Sequence, residues 1–167
     1  MGIIYSASGD PGAAEPALSR ALDIFRELRH ESGEAYALTE RGVVRLSIGD
    51  AAGAAQAHHK ALEFYRAVGH RGNHAEVLNR YAAAIAAGGD LPRAVELYEQ
   101  ALAANRELNK PREQATALEG LGGCHLSHGD PDAAAVRLRE ALEIYERLGM
   151  ALDAHRVHDS LSQLTES

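Results

Sequence analysis

The sequence predicts an all-α fold: an α-solenoid of antiparallel helix pairs, about four repeat units closed by a C-terminal capping helix. Three observations predict it. Gly-Asp recurs at a fixed spacing of 40, as Gly9-Asp10, Gly49-Asp50, Gly89-Asp90 and Gly129-Asp130, and a period kept without slippage means that one helical unit is stacked repeatedly. Two alanine series keep the same spacing, Ala14, Ala54, Ala94, Ala134 and Ala21, Ala61, Ala101, Ala141, the second followed each time by Leu22, Leu62, Leu102 or Leu142. Within a unit the apolar residues return at three- and four-residue steps, as Ala35, Leu38, Gly42, Val43 and Leu46 do, which is helical periodicity. No alternating β-branched run competes with it.

The first unit, about 1–30, is truncated. Its opening helix has only Gly2 to Ala7, and isolated helices that short are marginal. Asp10-Pro11 then starts a helix over 11–29, with Asp10 as N-cap and proline at the first helical position, where its missing N–H costs nothing. Leu18, Leu22 and Phe25 on this helix are expected to form a partly uncovered stripe. Excision from a longer protein, or burial of the stripe against another molecule, would each account for it. The second unit, 31–70, has helices over 31–47 and 51–68. Gly49 ends the first in the left-handed conformation, and Asp50 caps the second. Ala54, Ala57, His58, Ala61, Leu62 and Tyr65 share one face of that second helix, and Gly69 closes it. The third unit, 71–110, has helices over 71–87 and 91–108, with Pro92 in the first turn of the latter. The fourth, 111–150, has helices over 111–127 and 131–147, opened by Lys110-Pro111 and Asp130-Pro131. A last helix over 151–164 carries Asp153, His155, Arg156, His158 and Asp159, a polar cap for 151–167. Turns of two to four residues make neighbouring helices antiparallel.

Composition narrows the function. The 167 residues are 46% apolar and 5% aromatic, with no Trp, which suits close packing of helices through small side chains. A formal charge of -7 has the wrong sign for a nucleic-acid footprint, and the Arg residues are scattered. No run approaches the ~20 apolar residues that span a bilayer, and the start lacks the pattern of a signal peptide. Cys124 is the only cysteine, so there is no internal disulfide. The expectation is a cytoplasmic protein with no direct nucleic-acid or membrane partner.

These residues resemble the tetratricopeptide repeat. Leu121-Gly122 matches the Leu-Gly pair of that pattern, Met1-Gly2 with Tyr5 is similar to the same place cut short, and Arg41-Gly42 keeps only the Gly. Tyr81-Ala82 keeps neither. The two alanine series are complete. The aromatic between them survives as Tyr98, with Leu18, His58 and Leu138 elsewhere. The usual unit has 34 residues, and the extra length here is expected in continued second helices, such as 23–28 and 143–148. The resemblance implies a right-handed superhelix over the whole of 1–167 that binds protein in its concave groove. Units of 40 reading like Ala141 to Gly149 are also similar to the C-terminal arrays of actinobacterial regulators of the antibiotic-regulatory-protein type, and kinesin-light-chain-like arrays share the long unit. The regulator resemblance implies a ligand-sensing array whose DNA-binding and nucleotide-binding domains are absent from this sequence.

In such arrays the first helix of each unit lines the groove. Carried over by register, the groove positions form three rows: Tyr36, Glu76, Thr116, Arg156; Thr39, Asn79, Glu119, Asp159; and Ile3, Val43, Ala83, Gly123, Gln163. The small residues leave depth, and Asn79 can hydrogen-bond a peptide backbone from both amide atoms. There is no Lys ladder for a terminal carboxylate, and Glu119 and Asp159 would repel one, so a basic or neutral peptide or helix is the expected partner. A homodimer through Leu18, Leu22 and Phe25 is the alternative.

Catalytic and metal chemistry are not expected. His70/His74, His125/His128 and His155/His158 are spaced to share helix faces, but no Cys-x-x-Cys or His-Glu-x-x-His pattern supplies the three or four ligands of zinc. His158, Asp159 and Ser160 are consecutive on one helix, so their side chains diverge and form no relay. The glycine clusters at 87–90 and 120–123 are accounted for by helix ends and close packing. No cofactor is expected, and His58 is expected to pack or to hydrogen-bond between helices.

Overall fold

A computed structural model describes residues 11–165. Among them are eight α-helices and no strand: α1 (Pro11–Glu27), α2 (Glu31–Ser47), α3 (Ala51–Ala67), α4 (Arg71–Ala87), α5 (Leu91–Glu107), α6 (Pro111–Ser127), α7 (Pro131–Arg147) and α8 (Ala151–Thr165). The expected bounds agree to within two residues, the differences falling at 28–29, 68, 108 and 165. The short helix over Gly2–Ala7, with Ile3, Tyr5 and the Gly9-Asp10 turn, lies outside the described residues.

The turns are built by one device. Gly49 has φ +83° and Gly69 +68°, a left-handed conformation that side chains with a Cβ avoid. At the end of α2 the N–H of Asp50 donates to the Arg45 carbonyl at 2.9 Å and that of Gly49 to Leu46 at 3.0 Å, the paired bonds of a Schellman ending. The next helix is then capped. Asp50 accepts from Gly53 N–H at 2.8 Å, Asp90 from Arg93 at 3.2 Å and Asp130 from Ala133 at 3.0 Å. His30 Nδ1 does the same for Gly33 at 2.9 Å, whereas His70 makes no such bond.

Each of α1 to α7 has 17 residues. The extra length is therefore not confined to second helices, as expected from the sequence. First and second helices share it equally, because a left-handed turn residue falls every 20 residues, at Arg29, Gly49, Gly69, Gly89, Asn109, Gly129 and Gly149.

The chain divides into two compact units, Met1–Gly89 and Asp90–Ser167, a boundary inside the expected repeat 71–110. In the first, consecutive helices pack on one another and α2 also meets α4. Ala14, Leu18 and Val44 form a buried cluster, and the imidazole of His58 lies on Gly42, where an added Cβ would meet its Nδ1 at 2.6 Å. In the second unit Leu138 lies on Gly122, its Cδ2 2.7 Å from where a Cβ would stand, and the Tyr98 ring covers Gly120. Small residues on the first helices thus admit large ones from the second helices, and this contact forms the core.

Candidate functional site

In the first unit the candidate face is carried by α2 and α4, which both begin a pair and meet directly. Tyr36 is 40% exposed, with Glu76, Val43 and Ala83 half-buried nearby in register. Arg80 Nη2 donates to Glu76 Oε1 at 3.1 Å, an i,i+4 pair along α4. The Tyr36 hydroxyl has its pKa raised by burial and then by the negative charge of Glu40, against the opposing pull of Arg80. This is a mixed surface: one exposed phenol beside carboxylates, one of them held by an arginine.

Two groove candidates are not on offer there. Thr39 and Asn79 are each 5% exposed, and the Thr39 hydroxyl donates to the Ala35 carbonyl at 2.9 Å. Packing has turned these positions inward, so Asn79 does not present both amide atoms to a ligand. The expected open stripe is also corrected. Leu18 and Leu22 are each 1% exposed, and Phe25 lies over Gly33 and stacks on His30 with centroids 5.5 Å apart. The stripe is part of the chain's own core, where Leu18 meets Ala14 and Val44.

In the second unit the register brings three candidates together. Glu119 receives Arg156 Nε at 2.7 Å and Nη2 at 2.9 Å, and the Tyr145 hydroxyl donates to it at 3.0 Å. Arg156 also donates to Asp153 at 2.7 Å, and Thr116 lies 3.5 Å from the Tyr145 oxygen. The hydrogen bonds that Arg156 donates to Glu119 are the chief cause of its raised pKa. Burial, followed by the charge of Glu119 among other influences, pushes Tyr145 up to about 12. Glu119 is thus already answered by a cation and does not stand as the bare repelling charge expected, while Asp159 lies 3.0 Å from the His155 ring. Thr116, Gly123, Arg156 and Asp159 are exposed.

Sequence reasoning missed several of these partners. Glu15 accepts from Arg41 Nε at 2.8 Å and Arg45 Nη2 at 3.0 Å. The available signal was Arg41 standing where the fourth unit has Leu121. Arg80 was legible as the cation four residues after Glu76, and Tyr145 as the aromatic in register with Tyr65.

Two histidines have a plain structural role: His30 caps α2 and His58 packs on Gly42. His58 is 1% exposed and its pKa falls to about 4, chiefly through burial and then through Arg80. Burial also lowers His74. His125 and His128 border a cleft of about 330 Å³ with Leu91, Pro92, Val95 and Cys124, and burial raises the Cys124 thiol pKa. Among the described residues no group of three or more His, Cys, Asp or Glu converges as a metal site, and no helix is long and apolar enough to cross a membrane.

Residues 73–147 match the tetratricopeptide repeat family model, just under half of the chain. Among solved structures, the apo form of RapI superposes with a TM-score of 0.86 at 18% identity, covering 98% of this chain and 60% of that one. The chain therefore spans about three-fifths of RapI. BtubC (BKLC) from P. vanneervenii gives 0.72 at 20% identity, covering 99% and 77%. A putative kinesin light chain with nearly identical TPR-like repeats from Podosopora anserina gives 0.68 at 14%, covering 98% and 91%. No curated protein matches the sequence. These likenesses establish an all-helical repeat fold of the tetratricopeptide type, a scaffold that is generally non-enzymatic.

Proposed function

We propose that the chain is a protein-interaction module that holds a basic or neutral peptide, or a helix, along the faces of its first helices, as one repeat array and as part of a larger cytoplasmic regulatory protein. The observation that carries this reading is the α2–α4 face. Two first helices meet there with Tyr36 exposed between the carboxylates of Glu40 and Glu76. An exposed phenol supplies a flat apolar contact and a hydroxyl in one side chain, a common anchor in protein recognition. Carboxylates around it favour a cation on the incoming chain. The array fold supports the reading, since repeats of this kind bind along a surface rather than in a catalytic pocket. The regulatory context rests on the likeness of Ala141 to Gly149 to the arrays of regulators.

Panning a random peptide library on the whole chain tests the reading. Enriched peptides should carry Lys or Arg, or form neutral amphipathic helices, and should lose affinity at least tenfold against Tyr36→Ala combined with Glu76→Lys. Far-ultraviolet circular dichroism should show that variant still folded. Enrichment of peptides indifferent to both substitutions would sink the α2–α4 assignment.

A further inference from the structure

One place in the repeat is filled differently from unit to unit. At the α1–α2 contact Glu15 accepts from Arg41 Nε at 2.8 Å and from Arg45 Nη2 at 3.0 Å, so the chain occupies the place with its own carboxylate and two cations. Two repeats on, Val95 stands for Glu15, Leu121 for Arg41, Cys124 for Val44 and His125 for Arg45. There the α5–α6 contact keeps a cleft of about 330 Å³, lined by Leu91, Pro92, Val95, Cys124, His125 and His128. The acid has gone and two imidazoles remain. Both helices belong to the second unit and are followed in it by α7 and α8, so the cleft does not adjoin an end of the sequence.

We propose that this cleft binds a small carboxylic acid with an apolar body, its carboxylate taking the place that Glu15 fills in the first repeat. His125 and His128 line the cleft, and neither ring has a hydrogen bond or ion pair among the described residues. A neutral imidazole donates one N–H to a carboxylate, and a protonated one adds a charge to the bond. The chain's own acids nearby are engaged elsewhere. Asp90 accepts from Arg93 N–H at 3.2 Å and Asp130 from Ala133 N–H at 3.0 Å. Glu96 is held by Arg93 at 2.6 Å and Glu119 by Arg156 at 2.7 Å, while Asp132 lines the separate α7–α8 groove. Leu91, Pro92 and Val95 supply an apolar wall. Cys124 is 3% exposed, and burial keeps its thiol protonated, so it adds no opposing charge. A cleft of this volume, mostly apolar with two polar groups, fits a small molecule rather than a folded segment.

The test titrates the full chain with octanoate, below its micellar concentration, in amide proton–nitrogen correlation spectra. Saturable shifts centred on 91–95 and 124–128 are expected. Binding should be at least tenfold tighter than that of octanol, which lacks the carboxylate, or of acetate, which lacks the apolar body. Val95→Glu, which copies Glu15 and puts the chain's own acid in the cleft, should weaken octanoate at least tenfold. His125→Ile with His128→Gly, which copies Ile85 and Gly88 of the preceding unit, should level octanoate with octanol. Both variants use residues that the repeat already carries at these places, and circular dichroism checks that they fold. Tyr36→Ala with Glu76→Lys should leave binding unchanged, which separates this site from the first-helix face. Four outcomes overturn the proposal: no saturable shift, equal affinity for octanol and octanoate, and shifts indifferent to both cleft variants are three. The fourth is an acetylated tripeptide ending in leucine that binds tenfold tighter than octanoate, which would give the cleft to a peptide end.

Discussion

His58 is a titratable ring sealed against the backbone of Gly42, and its protonation is linked to folding. Its folded pKa of about 4 lies below the ordinary 6.5 of a histidine, because burial and then Arg80 disfavour the imidazolium. The stability this confers is fully present above pH 6.5 and is lost as the pH falls toward 4, to a limit of about 3 kcal/mol. His58→Leu, which copies Leu18 and Leu138 at the same register, should remove most of that slope in urea titrations between pH 7 and 4. His74, lowered in the same direction, would leave a smaller slope behind. Asn105 presents the opposite case. It is 0% exposed, with neither side-chain amide atom hydrogen-bonded, where Phe25, Tyr65 and Tyr145 stand in the other units. Asn105→Leu keeps the volume and removes the unpaired dipoles, so the urea midpoint should rise, by about 1 kcal/mol of stability. Both positions were legible in the sequence as places where an expected apolar or aromatic residue is missing. The lack of a polar partner was not, because partners come from other helices. Burial of Thr39, Asn79, Leu18 and Leu22 was hidden for the same reason: register tells which row a residue joins, not how deeply its neighbours cover it.

At the scale of the helix, the ends were the most legible feature, since Gly and Asp at 40-residue spacing carry the turn chemistry themselves. Where those letters change, the structure shows the consequence. His70 precedes α4 with φ -82° and ψ 72°, the same backbone as Asp50 before α3, yet it makes no side-chain cap bond. His70→Asp should therefore add the bond that Asp50 makes to Gly53, raising stability by about 0.5–1 kcal/mol, while Asp50→Ala should lower it by about 1 kcal/mol. Thermal melts of the two variants read both signs. A destabilising His70→Asp would show that the ring's contact with Tyr65, centroids 6.0 Å apart, outweighs a cap. Arg29 sits at φ +52° where Gly69 and Gly149 stand in other units. Arg29→Gly relieves a left-handed side chain and should stabilise α1's end by about 0.5 kcal/mol, the gain being reduced by glycine's entropy.

Within each of the two units, helices pack on their neighbours in sequence, so stability there is a sum of local interfaces. The last helix is the least buried. Val157 is its only buried side chain among the described residues, against six buried positions on α6, and Leu152 is 87% exposed. What ties α8 down beyond Val157 is the bond set through Glu119, which receives Arg156 from α8 and Tyr145 from α7. Opening of α8 should therefore precede opening of the helices before it, and amide exchange over 151–165 should run faster than over 111–147. Arg156 is more than half exposed, so solvent screening limits its share. Arg156→Ala should speed exchange in α8 by about threefold to tenfold and leave the amides of α2 and α3 as they were. Hydrogen exchange resolved by helix distinguishes the two architectures. A gradient that steepens at α8 on substitution follows from neighbour-only coupling, whereas one common rate shifting in every helix would mean that the chain opens as a single cooperative body.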